Sequence, residues 1–113
     1  ELFGFYVTSH KTEKYKLLYK NITNLDEVSN NFNKDINIII SIDRIKEINT
    51  KNNDIMAFVN GVDSTGNVNI TVFPNKYDLI KEFKKNDILL INGKVEKRFN
   101  EYQIILNKVK KLN

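Results

Sequence analysis

Basic and aromatic side chains are interleaved in the second half of this sequence. The candidate contact residues are Arg44, Lys46 and Lys51 in one group, and Lys94, Lys97, Arg98, Phe99 and Tyr102 in another. Basic groups attract phosphates, and aromatic rings stack on nucleobases at about 1–3 kcal/mol per base. The eight residues are therefore candidates for contact with a nucleic acid.

Each aromatic residue also has a purely structural interpretation. Phe99 and Tyr102 bracket a predicted hairpin tip, where a cross-strand aromatic pair often only stabilises the strands. We expect Phe58 and Phe73 to pack in the core or against a helix, because their neighbours are mostly apolar. The C-terminal lysines are predicted to form a solvated end: they are Lys108, Lys110 and Lys111.

Residues for catalysis or metal binding are scarce. The sequence has no cysteine and one histidine, His10, for which we expect a local hydrogen-bonding role. Asp63 lies in a predicted turn where its side chain caps the backbone. Nothing supplies a nucleophile with a base and an oxyanion site, or a glycine-rich phosphate loop. We expect no catalysis, no metal site and no cofactor in this chain.

The composition fits one small globular domain. Of 113 residues, 41% are hydrophobic and 28% charged, and no run reaches the roughly 20 apolar residues that span a bilayer. The absence of cysteine is compatible with a reducing cytoplasm. The chain begins at Glu1 rather than methionine, so we expect it to be a piece of a longer protein. We also expect this piece to be monomeric in isolation and to have no membrane partner.

The positive charge is unevenly distributed. Residues 1–35 carry five basic and five acidic side chains, whereas residues 36–113 carry 13 basic and 9 acidic ones. This excess makes a polyanionic partner plausible. Enrichment in lysine, asparagine and isoleucine is also what an AT-rich genome produces, so charge alone does not name the partner.

The first third reads as a short helical or irregular extension, residues 1–35. Thr12 to Lys20 is predicted as an amphipathic helix with Thr12 as its N-cap. A second helical start is predicted at Asn24, with acidic residues in its first turn. The polar run from Ser29 to Lys34 is predicted as a linker.

From Ile36 onward the pattern predicts strands. They are Ile36 to about Ile48 with a bulge near Arg44, Ile55 to Val62, Val68 to Phe73, Ile88 to Lys97, and Tyr102 to Val109. A turn with Gly66 at positive φ joins the second and third strands. Pro74 is predicted to open an α-helix whose apolar face is Tyr77, Ile80 and Phe83.

The resulting order, β-β-β-α-β-β, is that of the OB-fold, a five-stranded Greek-key barrel. Such barrels bind oligonucleotides through one strand face and the loops joining strands 1–2 and 4–5. We therefore predict a mainly β protein with a barrel over residues 36–113, preceded by the short helical extension.

Several motifs carry a family resemblance. They are Thr50-Lys51, Met56-Ala57-Phe58-Val59, Asp63-Ser64-Thr65-Gly66, Val72-Phe73-Pro74, Gly93-Lys94-Val95-Glu96-Lys97-Arg98 and Glu101-Tyr102-Gln103-Ile104, with Leu2 to His10 upstream. In order and separation they resemble the C-terminal OB region of the bacterial DNA polymerase III alpha subunit. The family commonly has a glycine where this chain has Asn53.

The resemblance implies a fragment of a replicative polymerase, a nucleotidyltransferase whose catalytic carboxylates lie far upstream. It implies contact with single-stranded template DNA, and with other replisome subunits through the parent protein. Two alternatives stay open: an OB-type anticodon-binding domain of a tRNA synthetase, and a protein-interaction module within the replisome.

Overall fold

The computed structural model describes residues 12–112. Its five strands are β1 (Asp35–Asn49), β2 (Ile55–Val62), β3 (Asn67–Val72), β4 (Ile88–Arg98) and β5 (Glu101–Lys111). Two 3₁₀ helices are present, η1 (Leu25–Asn31) before β1 and η2 (Pro74–Leu79) between β3 and β4. Mainly β structure with a short helical segment in front confirms the predicted fold class.

The strands close into a barrel in the order β1-β2-β3-β5-β4. Closure depends on the long first strand, which pairs with β4 through its first half and with β2 through its second. The register shifts between Ile42 and Arg44, leaving Asp43 as the extra residue of a bulge. This confirms the predicted bulge, which turns the strand so that it serves both halves of the barrel.

The barrel interior is filled by alternate residues of every strand. Ile36, Ile38, Ile40 and Ile42 belong to the core as their alternation predicted, and Ile45 packs against it beyond the bulge. Glycine is required where strands approach closely. A Cβ atom on Gly93 would lie 2.5 Å from the backbone oxygen of Ile105.

The connection between β3 and β4 differs from the prediction. Pro74 does open a helix, but it is a six-residue 3₁₀ helix that ends at Leu79, not an α-helix. Asparagine, tyrosine and aspartate within this short segment are weak helix formers, which favours the single tight turn. Ile80 is buried all the same, and Tyr77 and Phe83 pack against the core.

The segment before the barrel is packed on it. Residues 12–16 form a short helix, and the predicted helix does not continue to Lys20, because residues 17–20 form a turn and a bend in which Leu17 and Leu18 are exposed. Helix η1 begins after Asn24 as predicted and includes Ser29 to Asn31 of the polar run predicted as a linker. Its buried residues Leu25 and Val28 belong to the barrel's hydrophobic core.

Candidate nucleic-acid interface

The outer face of β1, β2 and β3 carries an ordered set of side chains. Ala57 and Val59 are buried, so Phe58 between them faces outward, as alternation along a strand requires. In the register, Lys46 lies opposite Phe58, and Phe58 lies opposite Thr71 on β3. We call this surface the outer face; its central row is the exposed Lys46, the half-buried Phe58 and the buried Thr71.

A second row on the outer face is polar. Arg44 lies opposite Asn60, Asn60 opposite Asn69, and Asn69 opposite Gln103 on β5. The Asn60 amide donates to Oδ1 of Asn69 at 3.1 Å. A further bond links the two rows, since the hydroxyl of Thr71 donates to Oε1 of Gln103 at 2.7 Å. These bonds hold the amides flat against the sheet beside Phe58.

Phe58 and Phe73 were expected to pack in the core or against a helix, and neither belongs to the hydrophobic core: Phe73 is 43% exposed as the N-cap of η2. Phe58 is half-buried on the outer face, outside the hydrophobic core. Apolar neighbours in sequence were misleading, because adjacent strand residues face opposite sides. The shared parity of Phe58 with Asn60 was the signal that could have placed it outward.

The tip of the β4–β5 hairpin presents an aromatic ring. Phe99 and Asn100 both have positive φ, 51° and 67°, as in a type I′ turn. A phenylalanine is uncommon in this conformation, which favours glycine and asparagine. Its ring is 85% exposed, and the Arg98 guanidinium carbon lies 5.3 Å from the ring centroid. One ring face therefore carries a cation.

Tyr102 is placed differently from Phe99. It lies opposite Lys97 in the register and packs against the core, half-buried. The ring of Phe32 meets it edge-on at 6.2 Å, and Lys97 Nζ lies 5.7 Å from its centroid. Tyr102 thus supports the base of the hairpin, whereas Phe99 stands free at its tip.

A recess of about 330 Å³ lies beside the hairpin tip. We call it the hairpin recess; its lining is Asn69, Arg98, Phe99, Glu101, Tyr102 and Gln103. An adjoining recess of about 300 Å³ shares three of these residues and is walled on its other side by η1. Amide groups, a cation and aromatic rings together suit a nucleotide.

The candidate loops lie at opposite ends of the outer face. Strands β3 and β5 are parallel, so the β4–β5 hairpin lies beside the start of β3. The β1–β2 hairpin lies beside the end of β3, where Ala57 pairs with Val72. Lys51 is exposed in this hairpin, whose Asn53 has a φ of 65°, the conformation expected of an asparagine in the family's glycine position.

Lys94 stands apart from the other candidates. It faces outward on β4 between the buried Gly93 and Val95, and its register partner is Ile105 on β5. Ile105 in turn lies beside Thr71, so one register row leads from the outer face around the barrel to Lys94. The remaining cations, including Arg44 and Lys46, flank the outer face.

The turn between β2 and β3 is built by Asp63, not by a glycine at positive φ as predicted. Oδ1 of Asp63 accepts bonds from the amides of Thr65 at 2.7 Å and Gly66 at 3.0 Å. Gly66 keeps a negative φ. The predicted capping by Asp63 is confirmed.

Asp63 also fixes the segment before the barrel. Its other oxygen, Oδ2, accepts bonds from Nζ of Lys16 at 2.7 Å and from the Leu25 amide at 3.2 Å. Burial raises the pKa of Asp63, but the bonds from Lys16 and Thr65 outweigh it and hold the pKa below its ordinary value. The carboxylate is therefore charged and paired at neutral pH.

Within residues 12–112, no group of three or more potential metal-ligating side chains occurs. No helix in that part of the chain is long and apolar enough to cross a membrane. His10 and the Leu2 to His10 motif lie outside the described residues.

Residues 39–112 match the family of OB-fold nucleic acid binding domains. The closed barrel with its five strands in the order described is the architecture of that family. The chain belongs to the OB-fold nucleic-acid-binding domain family.

Among curated proteins, the chain is similar to the DNA polymerase III subunit alpha of Staphylococcus aureus, with 33% identity over 99% of this chain. This confirms the resemblance drawn from the motifs. The chain spans about a tenth of the length of the curated relatives it matches.

Solved structures with the same fold are more distant in sequence. An aspartyl tRNA synthetase from Entamoeba histolytica aligns with a TM-score of 0.68 at 14% identity, covering 87% of this chain and 22% of that one. The mitochondrial single-stranded DNA binding protein Rim1 of S. cerevisiae aligns with a TM-score of 0.57 at 17% identity, covering 71% of this chain and 94% of that one. At such identities the likeness shows the fold.

Proposed function

We propose that this domain binds single-stranded DNA along the outer face, from the β1–β2 hairpin to the β4–β5 hairpin, and performs no catalysis itself. The observation that supports this proposal most directly is the strand register. It places Phe58 between Lys46 and Thr71, next to the second row, which consists of Arg44 and the side-chain amides. One half-buried ring flanked by cations and amides suits a base with its phosphates on the basic side.

Seven of the eight predicted contact residues have a role on the outer face, and Lys94, which stands apart on β4, has none there. Arg44, Lys46 and Lys51 attract phosphates at one end, and Lys97 and Arg98 do so at the other. Phe58 and Phe99 stack on bases, while Tyr102 supports the hairpin recess. Glu96 and Glu101 lie close to the second group of cations, so binding by the isolated domain is expected to be weak.

The similarity to the polymerase subunit supports a wider proposal. We place this domain in a bacterial replicative polymerase, a nucleotidyltransferase, where it holds template DNA while catalysis takes place elsewhere in the parent protein. Contacts with other replisome subunits belong to that parent, and we expect the isolated domain to be monomeric.

The direct test is the fluorescence anisotropy of a labelled 12-nucleotide DNA strand. Phe58→Leu keeps most of the apolar volume but removes the ring, so affinity should fall about ten-fold through lost stacking. Leu17→Ala, a change at an exposed apolar residue before the barrel, should leave affinity unchanged. Wild-type affinity should also fall steeply with salt. Equal affinity of the Phe58→Leu variant and the wild type would overturn the proposed face.

The same titration distinguishes the two rivals. A preference for a tRNA anticodon stem-loop over single-stranded DNA would favour an anticodon-binding domain. Charge reversal at Lys97 and Arg98 addresses the second rival: if DNA binding survives while association with another polymerase subunit is lost, the hairpin binds protein.

A further inference from the structure

A second surface, away from the outer face, has features of a phosphate-binding site. It is a recess of about 330 Å³ that we call the lysine recess, lined by Asn37, Leu90, Asn92, Lys108, Val109 and Lys110. It lies on β4, the second half of β5 and the first half of β1, whereas the outer face uses β2, β3 and the second half of β1. The two surfaces therefore occupy different parts of the barrel wall.

The lysines of this recess point outward from an ordered strand. Sequence patterning predicted a solvated tail at Lys108, Lys110 and Lys111, but β5 continues to Lys111. Lys108 lies opposite Asn92 and Lys110 opposite Leu90. Residues two apart on a strand point the same way and lie about 7 Å apart, so the two ammonium groups border one side of the recess.

The polar floor of the recess is fixed by hydrogen bonds. Nδ2 of Asn92 donates to Oδ1 of Asn37 at 3.0 Å and to the Ile36 carbonyl at 3.4 Å. Nδ2 of Asn107 donates to Oδ1 of Asn92 at 2.8 Å. Leu90 supplies an apolar patch beside these amides, so the floor is partly polar and partly apolar.

The charge of the recess is uncompensated. Lys111 pairs with Asp87, Nζ to Oδ1 at 3.7 Å, whereas Lys108 and Lys110 form no ion pair with any described residue. Lys94 is exposed on the same side of β4, opposite Asp35 on β1, and through Ile105 and Thr71 it shares a register row with Phe58. This row connects the outer face with the side of β4 that carries the lysine recess.

We propose that the lysine recess binds the phosphodiester backbone of the same single strand after it leaves the outer face. This rests on the proposed function and adds a second contact region to it. A strand of about six nucleotides occupies the outer face alone, whereas a strand of about 18 nucleotides, slightly longer than the largest site sizes of such folds, reaches both regions. Long strands therefore make more phosphate contacts than short ones.

The test compares the wild type with Lys108→Ala/Lys110→Ala on strands of about 6 and about 18 nucleotides, by anisotropy over a range of salt concentrations. For the long strand, the double variant should bind about ten-fold more weakly, and the slope of log K against log salt should decrease by about 0.7 for each lysine. For the short strand, affinity and slope should not change. Chemical shifts of the Lys108 and Lys110 amides should respond to the long strand only.

A matched control removes the same charge elsewhere. Lys84→Ala/Lys85→Ala changes two exposed lysines that do not line the recess, and it should leave the salt slope for both strands at the wild-type value. Thermal unfolding verifies that both variants are folded.

The outcomes separate the two proposals. Equal slopes of wild type and Lys108→Ala/Lys110→Ala with the long strand would overturn the lysine recess and leave the outer face standing. So would an equal loss with both strands. If the wild type bound neither the short nor the long strand, the proposed function itself would be overturned.

Discussion

Two short turns at the same end of the barrel are built in opposite ways. The turn between β2 and β3, which we call the anchored turn, is Asp63–Gly66; the turn between β4 and β5, the presented turn, is Arg98–Glu101. In the anchored turn, the buried carboxylate of Asp63 accepts a hydrogen bond from the Thr65 amide and binds Lys16, which holds the segment before the barrel in place. In the presented turn, two residues at positive φ hold an aromatic ring in solvent.

Under the proposed function, the difference separates a turn that stabilises the fold from a turn that contacts DNA. The polar groups of the anchored turn are used in internal hydrogen bonds, so few of them are available to a ligand. The presented turn holds Phe99 in an unfavourable backbone conformation with its side chain exposed, which is consistent with the contact proposed for it. Changes in the first turn should affect folding, and changes in the second should affect binding.

The largest expected effect is that of Asp63→Asn. It removes the charge that pairs with Lys16 and weakens the bond to the Leu25 amide, so that the largely buried Lys16 ammonium keeps only Glu13 and Asn24 as partners. We expect the free energy of unfolding to fall by about 2 kcal/mol, measured by urea denaturation. Ser64→Ala removes only an exposed bond to Glu13 and should cost less than about 0.5 kcal/mol.

Comparison of the wild type with Asp63→Asn also gives a prediction about the pH dependence of stability. Because the pKa of folded Asp63 is lowered, its stabilisation is fully present above the ordinary value of 3.8 and is lost as the pH falls through the lower folded pKa. The stability difference between wild type and Asp63→Asn should be constant from about pH 5 to 8 and shrink below about pH 4. A difference that persists unchanged to pH 2 would contradict the ion-pair account.

Phe99→Asn should have the next largest effect, on binding only. It removes the exposed ring while keeping a residue that tolerates positive φ, so affinity for a single strand should fall about ten-fold. The free energy of unfolding should stay the same or rise by about 0.5–1 kcal/mol, because asparagine fits the turn better. Loss of stability together with affinity would mean that Phe99 is a structural residue.

Asn100→Gly should have the smallest effect. Glycine is the preferred second residue of a type I′ turn, so stability should rise by about 0.5 kcal/mol while DNA affinity stays at the wild-type value. Thermal unfolding and anisotropy measure the two quantities. A fall in affinity would show that the side chain of Asn100, and not only the ring beside it, contacts the strand.

Much of the fold was predictable because it depends on local alternation. The isoleucines from Ile36 to Ile42, the bulge before Arg44 and the capping role of Asp63 all follow from residue type and spacing. The helix after β3 was predicted too long. The spacing of Tyr77, Ile80 and Phe83 fits one long helix, but it fits equally well a short 3₁₀ helix that ends at Leu79 and is followed by irregular chain.

The candidate site was predictable only in part. The cations and Phe99 were candidates because they cluster in sequence, whereas Phe58 was expected in the core or against a helix and the lysines near the C-terminus in a solvated end. Both assignments depended on neighbours along the chain. The relevant neighbours of Phe58 are Lys46 and Thr71, which lie on other strands.

The sequence by itself determined the strand order, the bulge and the basic and aromatic residues, because these depend on local periodicity and side-chain type. Only the tertiary structure decided which residues share a face. Closure of the barrel sets the register between strands distant in sequence, and that register places Phe58 among cations and amides. It also leaves Phe99 exposed at the presented turn while Asp63 is buried at the anchored one.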